Sequence, residues 1–383
     1  MRPQASDVLV VGQGIVGLVA AWRAARAGLS VTTVDPDIGS GATHAAAGML
    51  APVTETEFGE DAVLALNLAS AHAWPAFAAD VEAGSGLDIA HARTGALHVA
   101  FDADDARELS RITGLQRSHG LAARTLTVAE ARDAEPLLGP RVAAATWTGD
   151  DHQVDPRRLL LALRALVSGG GARHVCRGVE SLIVAGDGRV VGARDDTGAE
   201  HRADLVVLAA GAATPSLVAD LPDVVVPVRP VKGQVVRLDA SRLTWLRGER
   251  VVRGIVQHRP VYVVGRADGE IVVGATSEER ADPVATAGGV FALLRDARAL
   301  LPGLDEAPVV ELTARLRPAT PDHLPLLGPT ARPGLLLATG HHRHGVLQAA
   351  ATAQALDALY AGRPLTPQWA AADPTRFTVK ETV

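Results

Sequence analysis

The chain has 383 residues, 48% of them hydrophobic and only 3% aromatic, with a mean hydropathy of +0.15. This excludes a disordered chain and points to two domains' worth of aliphatic core. The formal charge is −6, from 37 basic and 43 acidic residues with no long run of one sign, so nothing recommends nucleic acid or an anionic membrane as a partner, and the single cysteine, Cys176, fits a cytoplasmic setting.

Residues 8–11 form a short aliphatic run that ends at a glycine cluster, and 15–27 carry apolar residues at helical spacing before Gly28. Residues 30–35 read as a second buried strand, which completes a β-α-β unit. The apolar stretch 8–21 is broken by Gly12, Gln13, Gly14 and Gly17 and is shorter than a bilayer span of roughly 18 residues, so no transmembrane helix is expected. A signal peptide is the competing reading, but only Arg2 supplies a basic flank, and a strand, turn and helix explain the same residues better.

Between strand and helix lies Gly12-Gln13-Gly14-Ile15-Val16-Gly17, a GxGxxG. Gly12 permits the tight turn, Gly14 lets backbone approach a pyrophosphate at the helix amino terminus, and Gly17 allows close helix packing. Asp35, at the end of the next strand, is placed to accept hydrogen bonds from ribose hydroxyls. Together these predict a dinucleotide, without separating FAD from NAD. Residues 39–52 then form a long run of small side chains that leaves backbone amides open to an extended cofactor, with an alanine-rich helix start as the plain alternative.

Further along, 102–118 and 128–134 are polar and helix-compatible. Residues 205–209, followed by Ala210 and Gly211, and 335–339, followed by Gly340, repeat the glycine-terminated buried strand, which predicts one parallel sheet with its carboxyl ends at a shared ligand. The alternating stretches 261–265 and 270–276 flank Asp268-Gly269, a hairpin signal. The expected fold is therefore α/β: a Rossmann-like nucleotide-binding domain of residues 1–80, 150–222 and 315–383, with an inserted α+β substrate domain, carrying an antiparallel sheet, of 81–149 and 223–314.

The GxGxxG, Ala45-Ala46-Ala47-Gly48-Met49-Leu50, Pro230-Val231-Lys232-Gly233-Gln234, Val273-Gly274-Ala275-Thr276, Leu316-Arg317-Pro318 and Gly340-His341-His342-Arg343-His344-Gly345 occur in the order seen in the glycine oxidases of thiamine biosynthesis. The chain resembles that family, in the D-amino-acid oxidase group of flavoproteins, over nearly its whole length. The resemblance implies FAD held by Ile15, Val16, Asp35, Pro36, Ala42, Thr43, Ala47, Gly48, Met49, the backbone of Val179, and Gly211. It implies that His341, His342, Arg343, His344, Gly345, Val346 and Leu347 close over the flavin, with a helix beginning near Gly345 turning its positive end toward the ring.

Arg317 is the expected main clamp on a substrate carboxylate, with Arg343 assisting and Tyr262 adding a hydroxyl. For each arginine the competing reading is an interdomain salt bridge, and for Tyr262 it is core packing. No side chain is assigned acid or base work, because positioning a neutral amine does most of it. No metal is expected at the three histidines, which lack an acidic or cysteine partner nearby. His342, Ser277 and Arg315 depart from the family pattern, and Arg315 shares a strand face with Arg317, so an extra cation in the pocket is expected. Cys176 lies on the adenine side, so FAD is expected to be non-covalent. The resemblance implies oxidation of a small amino acid, glycine first among them, with O2 as acceptor, a homo-oligomer, and hand-over of the imine to thiazole synthase. A sarcosine or D-amino-acid oxidase, a quinone-linked dehydrogenase and a non-catalytic FAD-binding subunit stay open.

Overall fold

The computed structural model describes residues 5–377. Its first sheet has eight strands, and the parallel part runs in the order Leu335–Thr339, Glu200–Leu208, Ser6–Val11, Val31–Val34, Arg173–Val175. Leu326–Pro329 adds an antiparallel edge, and Val179–Val184 with Val190–Asp195 extends the beginning of Glu200–Leu208. At the centre of this sheet 8–11, 206–208 and 335–338 are apolar on both sides because both faces are covered. Val8 and Val10 pack into a helical layer with Leu18, Trp74, Leu163 and Leu356, while Leu9 and Val11 face Val206, Val224 and Leu335 on the other side.

Helices Ile15–Arg26, Asp61–Ser85, Pro156–Gly169 and Ala349–Tyr360 make up the helical layer. By length and composition alone, Asp61–Ser85 would suffice to cross a membrane, a property that the reading centred on 8–21 passed over. Its apolar side chains Leu66, Trp74, Phe77 and Val81 are instead buried in this layer, so it is a core helix.

The second sheet also has eight strands, ordered Val309–Ala319, Arg229–Asp239, Glu270–Gly274, Arg259–Gly265, Arg250–Val256, Ala96–Ala100, Ala144–Thr148, Arg124–Leu126. All neighbours are antiparallel except Arg250–Val256 with Ala96–Ala100. Helix Ala287–Leu300 covers one face, burying Leu293, Ala297 and Leu300 against Val236, Leu238 and Val263. Helices Ala103–Ser118 and Val128–Ala134 flank this sheet, started by the Asp102 side chain and by a capping box of Thr127 and Glu130.

Two expected domain limits fall inside elements. The limit near 80 lies within Asp61–Ser85, whose residues as far as Val81 belong to the first core, and that near 315 lies within Val309–Ala319 of the second sheet. Texture changes along a sequence mark where packing partners change only to within several residues.

Candidate functional site

The carboxyl ends of the parallel strands open into a cavity of about 950 Å³ whose far wall is the second sheet. Gly12, at φ 99°, and Asp35, Ala209, Ala210, Gly211 and Thr339 line its first end. A Cβ on Gly12 would meet the Ala209 carbonyl oxygen at 2.5 Å, so backbone alone fits at the turn. Helix Ile15–Arg26 starts at Gly14 without a side-chain cap, which leaves its first-turn N–H groups facing the cavity, apart from that of Ile15, bonded to Thr43 Oγ1 at 3.2 Å. Asp35 accepts from the backbone N–H groups of Gln13 and Asp37, and burial pushes its carboxyl above the usual range, so it gains from further donors such as ribose hydroxyls. Val16, Pro36 and Val179 complete this end.

From there Gly39, Ala42, Thr43, Ala47, Gly48 and Met49 run along one wall. With few side chains to pack, this stretch is held by its carbonyl groups, which accept from arginines. Arg157 and Arg237 donate to the His44 oxygen, Arg237 also to Ala46 at 3.2 Å, Arg266 to Ala47 at 2.8 Å, and Arg315 Nε to Ser40. Arg237, Arg266 and Arg315 belong to the second sheet or its hairpin, so that sheet fixes the wall of the nucleotide site.

At the other end the cavity is lined by Arg317, Tyr262, Glu55, Arg253, Arg343 and His342. Arg317 donates Nη1 to the Thr276 carbonyl at 3.0 Å, and among the described residues no carboxylate lies within ion-pair distance of it. Desolvation pulls its pKa down, opposed by Tyr262 and Glu55 nearby. Tyr262 pairs across the sheet with Gly274 and with Arg253; a Cβ on Gly274 would fall 2.3 Å from the phenol oxygen, so the glycine makes room for the ring. Burial pushes the Tyr262 pKa up, keeping the hydroxyl protonated.

Several expected roles change. Arg343 is ion-paired with Glu57 at 3.0 Å and Glu60 at 2.9 Å, so its charge is already answered rather than free to assist a substrate acid. Arg315 lines the cavity and also staples its wall, donating Nε to the Ser40 carbonyl and Nη1 to that of Ala314, with no carboxylate beside it among the described residues. His341, His342, Gly345 and Val346 do line the cavity, while Leu347 is buried in the core and His344 points to Glu55 and Asn67. The helix expected near Gly345 begins at Ala349, because residues 342–348 are spent on a 3-10 turn and a further turn. Gly17 serves packing: a Cβ there would fall 1.9 Å from the Gly12 carbonyl oxygen.

The histidines do not converge. His341 bonds Thr352, and His342, pushed down to about 2 by burial and by Arg343, stacks on His323 at 4.8 Å. Among the described residues Asp105, Glu108 and His258 come within ligating reach of one another, but both oxygens of Asp105 accept backbone N–H groups of Gln257 and His258. Cys176 is exposed and does not line the cavity, and Lys232 is fully buried beside Asp282. Sequence reading missed Glu55 and Arg253. Neither lies in a recognisable motif, and only their pairing, across 198 residues, marks them.

The family described as FAD dependent oxidoreductase matches residues 7–359. The chain is 33% identical over 349 residues to the bifunctional protein ThiO/ThiG of Nostoc sp., which covers 91% of this chain and 51% of that protein. It thus spans about half the length of the bifunctional relatives it matches. It is 32% identical over 347 residues to the glycine oxidase of Geobacillus kaustophilus, covering 89% of each. The solved glycine oxidase from Geobacillus kaustophilus superimposes with a TM-score of 0.88 at 29% identity, over 98% of this chain and 100% of that one. Iminodiacetate oxidase from Chelativorans sp. BNC1 does so with a TM-score of 0.85 at 27% identity, over 96% and 98%. With a glycine turn, an uncapped helix start and a wall of small residues all facing one cleft, this chain belongs to the FAD-dependent oxidoreductase family, and FAD is its cofactor.

Proposed function

We propose that this chain oxidises the Cα–N bond of a small amino acid, glycine being the best candidate. The observation that carries this is Arg317: a desolvated guanidinium on the cavity wall whose Nε and Nη2 find no partner among the described residues. That free edge opens into the cavity, and a carboxylate gripped along it in two places fixes the substrate in one orientation.

FAD, when bound along Gly12, Asp35 and the 41–49 wall, supplies the two-electron acceptor. The chain's own residues orient and desolvate. Arg317 holds the acid, Tyr262 offers a protonated hydroxyl beside it, and Val235, Ala275 and the surrounding aliphatic wall exclude water from the amine. The imine product hydrolyses to the oxo acid and ammonia, and its use in thiazole synthesis is the fate that the relatedness to glycine oxidases and bifunctional ThiO/ThiG proteins supports.

The test is a panel of glycine, sarcosine, D-alanine and iminodiacetate with peroxide readout, run on wild type and on Arg317→Met. The variant should keep its flavin and lose about 100-fold in kcat/KM, as expected for two charge-assisted hydrogen bonds. Equal loss of flavin and turnover would make the arginine structural.

A further inference from the structure

Amino-acid recognition needs a second anchor, since a clamp on the carboxylate alone leaves the molecule free to swing about it. The cavity contains a candidate opposite in charge to Arg317. Glu55 lies on the same wall, close enough that each of Tyr262 and Arg317 feels its charge. Its side chain keeps 12% of its surface open, and the carboxylate is fixed from behind. Arg253 donates Nη1 to Oε1, His344 Nδ1 lies 3.2 Å from Oε2, and Arg343 Nε is 3.9 Å from Oε2.

A carboxylate can accept about four hydrogen bonds, so this support leaves capacity on the open side. His344 Nδ1 also lies 3.3 Å from Asn67 Nδ2 and cannot donate to Glu55 while accepting from Asn67, so Arg253 is the group that fixes the orientation of Glu55. Arg253 is placed by the sheet, as the cross-strand neighbour of Tyr262. The balance of charge agrees. Around this end Arg253 is paired with Glu55 and Arg343 with Glu57 and Glu60, while Arg317 has no carboxylate partner among the described residues, so a cation and an anion stand ready for the two ends of a zwitterion.

The geometry points to Glu55 as the anchor for the amino end of the substrate, accepting its N–H hydrogen bonds while Arg317 grips the carboxylate. The inference rests on the amino-acid reading above and deepens it: the site selects acids that carry an N–H donor on the α-carbon. Its cationic neighbours hold Glu55 ionised well below the usual carboxylate range, so it accepts hydrogen bonds without taking up the proton. It is a binding residue, not the base.

The experiment uses the flavin-loaded enzyme and two ligands of nearly one shape, glycine and propionate, in which a methyl replaces the ammonium. The glycine Kd is read from the concentration dependence of anaerobic flavin reduction, and the propionate Kd from the shift it causes in the visible flavin spectrum. In wild type, glycine should bind more tightly than propionate. Glu55→Gln should weaken glycine by about ten- to a hundredfold and leave propionate within about twofold, and Glu55→Asp should recover part of the loss. Equal binding of the two ligands by wild type overturns the inference without requiring any variant to fold. So does a Glu55→Gln enzyme that weakens both equally or neither. If propionate binds but no amino acid of the panel reduces the flavin, the amino-acid reading itself falls.

Discussion

Gly233 lies directly beneath the guanidinium of Arg317: a Cβ built on the glycine would fall 2.4 Å from Arg317 Cζ. The glycine sits on Arg229–Asp239, the strand paired with Val309–Ala319, diagonal to the arginine in register. The position of the cation thus depends on a side chain that is missing from the next strand.

Gly233→Ala should therefore push Arg317 out of place while leaving the strand paired. We expect at least a tenfold rise in KM for the amino acid, about 1.4 kcal/mol of binding, with FAD content unchanged. Flavin absorbance per polypeptide and steady-state KM together check this; a normal KM would show that the guanidinium adapts.

Gly12→Ala should lose FAD. The position combines φ 99° with a backbone oxygen 2.5 Å from the added methyl, so the turn must open. Asp35→Ala should weaken FAD by about ten- to a hundredfold through lost charge-assisted acceptors. Flavin retained on gel filtration reads both, and a tightly yellow Gly12→Ala protein would contradict the cradle.

Asp151 is fully buried and accepts from the N–H groups of Val53 and Thr54 at 2.8 and 2.9 Å and from the Thr54 hydroxyl, beneath the loop that carries Glu55. Burial outweighs these bonds and pushes its pKa from 3.8 up to about 6. A carboxyl raised in the folded state binds protons that the unfolded chain has already released, so its ionisation costs stability as pH rises from about 4 through about 6. Relative to Asp151→Asn, wild type should gain about 1 kcal/mol between pH 7 and pH 5, read from urea unfolding at both. A gain with rising pH would reverse the assignment.

Arg157 forks onto Glu311 at 2.7 and 2.9 Å while also holding the His44 carbonyl, so it ties helix Pro156–Gly169 to the second sheet and to the cofactor wall. The pairing holds the Glu311 pKa down at about 2, so its contribution is complete above the ordinary 4.5 and is lost as pH falls toward 2. Arg157→Met should cost about 1–2 kcal/mol near neutral pH and raise the FAD dissociation constant. Calorimetry with and without added FAD separates the two effects; unchanged values in both would show the tie to be idle.

The nucleotide end was legible because its signals are local. The turn at Gly12, the helix from Ile15 and the acid at Asp35 lie within one β-α-β unit, where spacing along the chain is spacing in space. The glycine-terminated apolar runs likewise put Glu200–Leu208 and Leu335–Thr339 in one parallel sheet with Ser6–Val11, Glu200–Leu208 lying between the other two. Only the tertiary structure decided which cations are free. Arg343 meets Glu60 across 283 residues, Arg315 meets Ser40 across 275, and Arg253 meets Glu55 across 198. An arginine looks the same in sequence whether it is answered or not; only folding shows that Arg343 and Arg253 meet carboxylates while Arg317 keeps an unpartnered edge on the cavity wall.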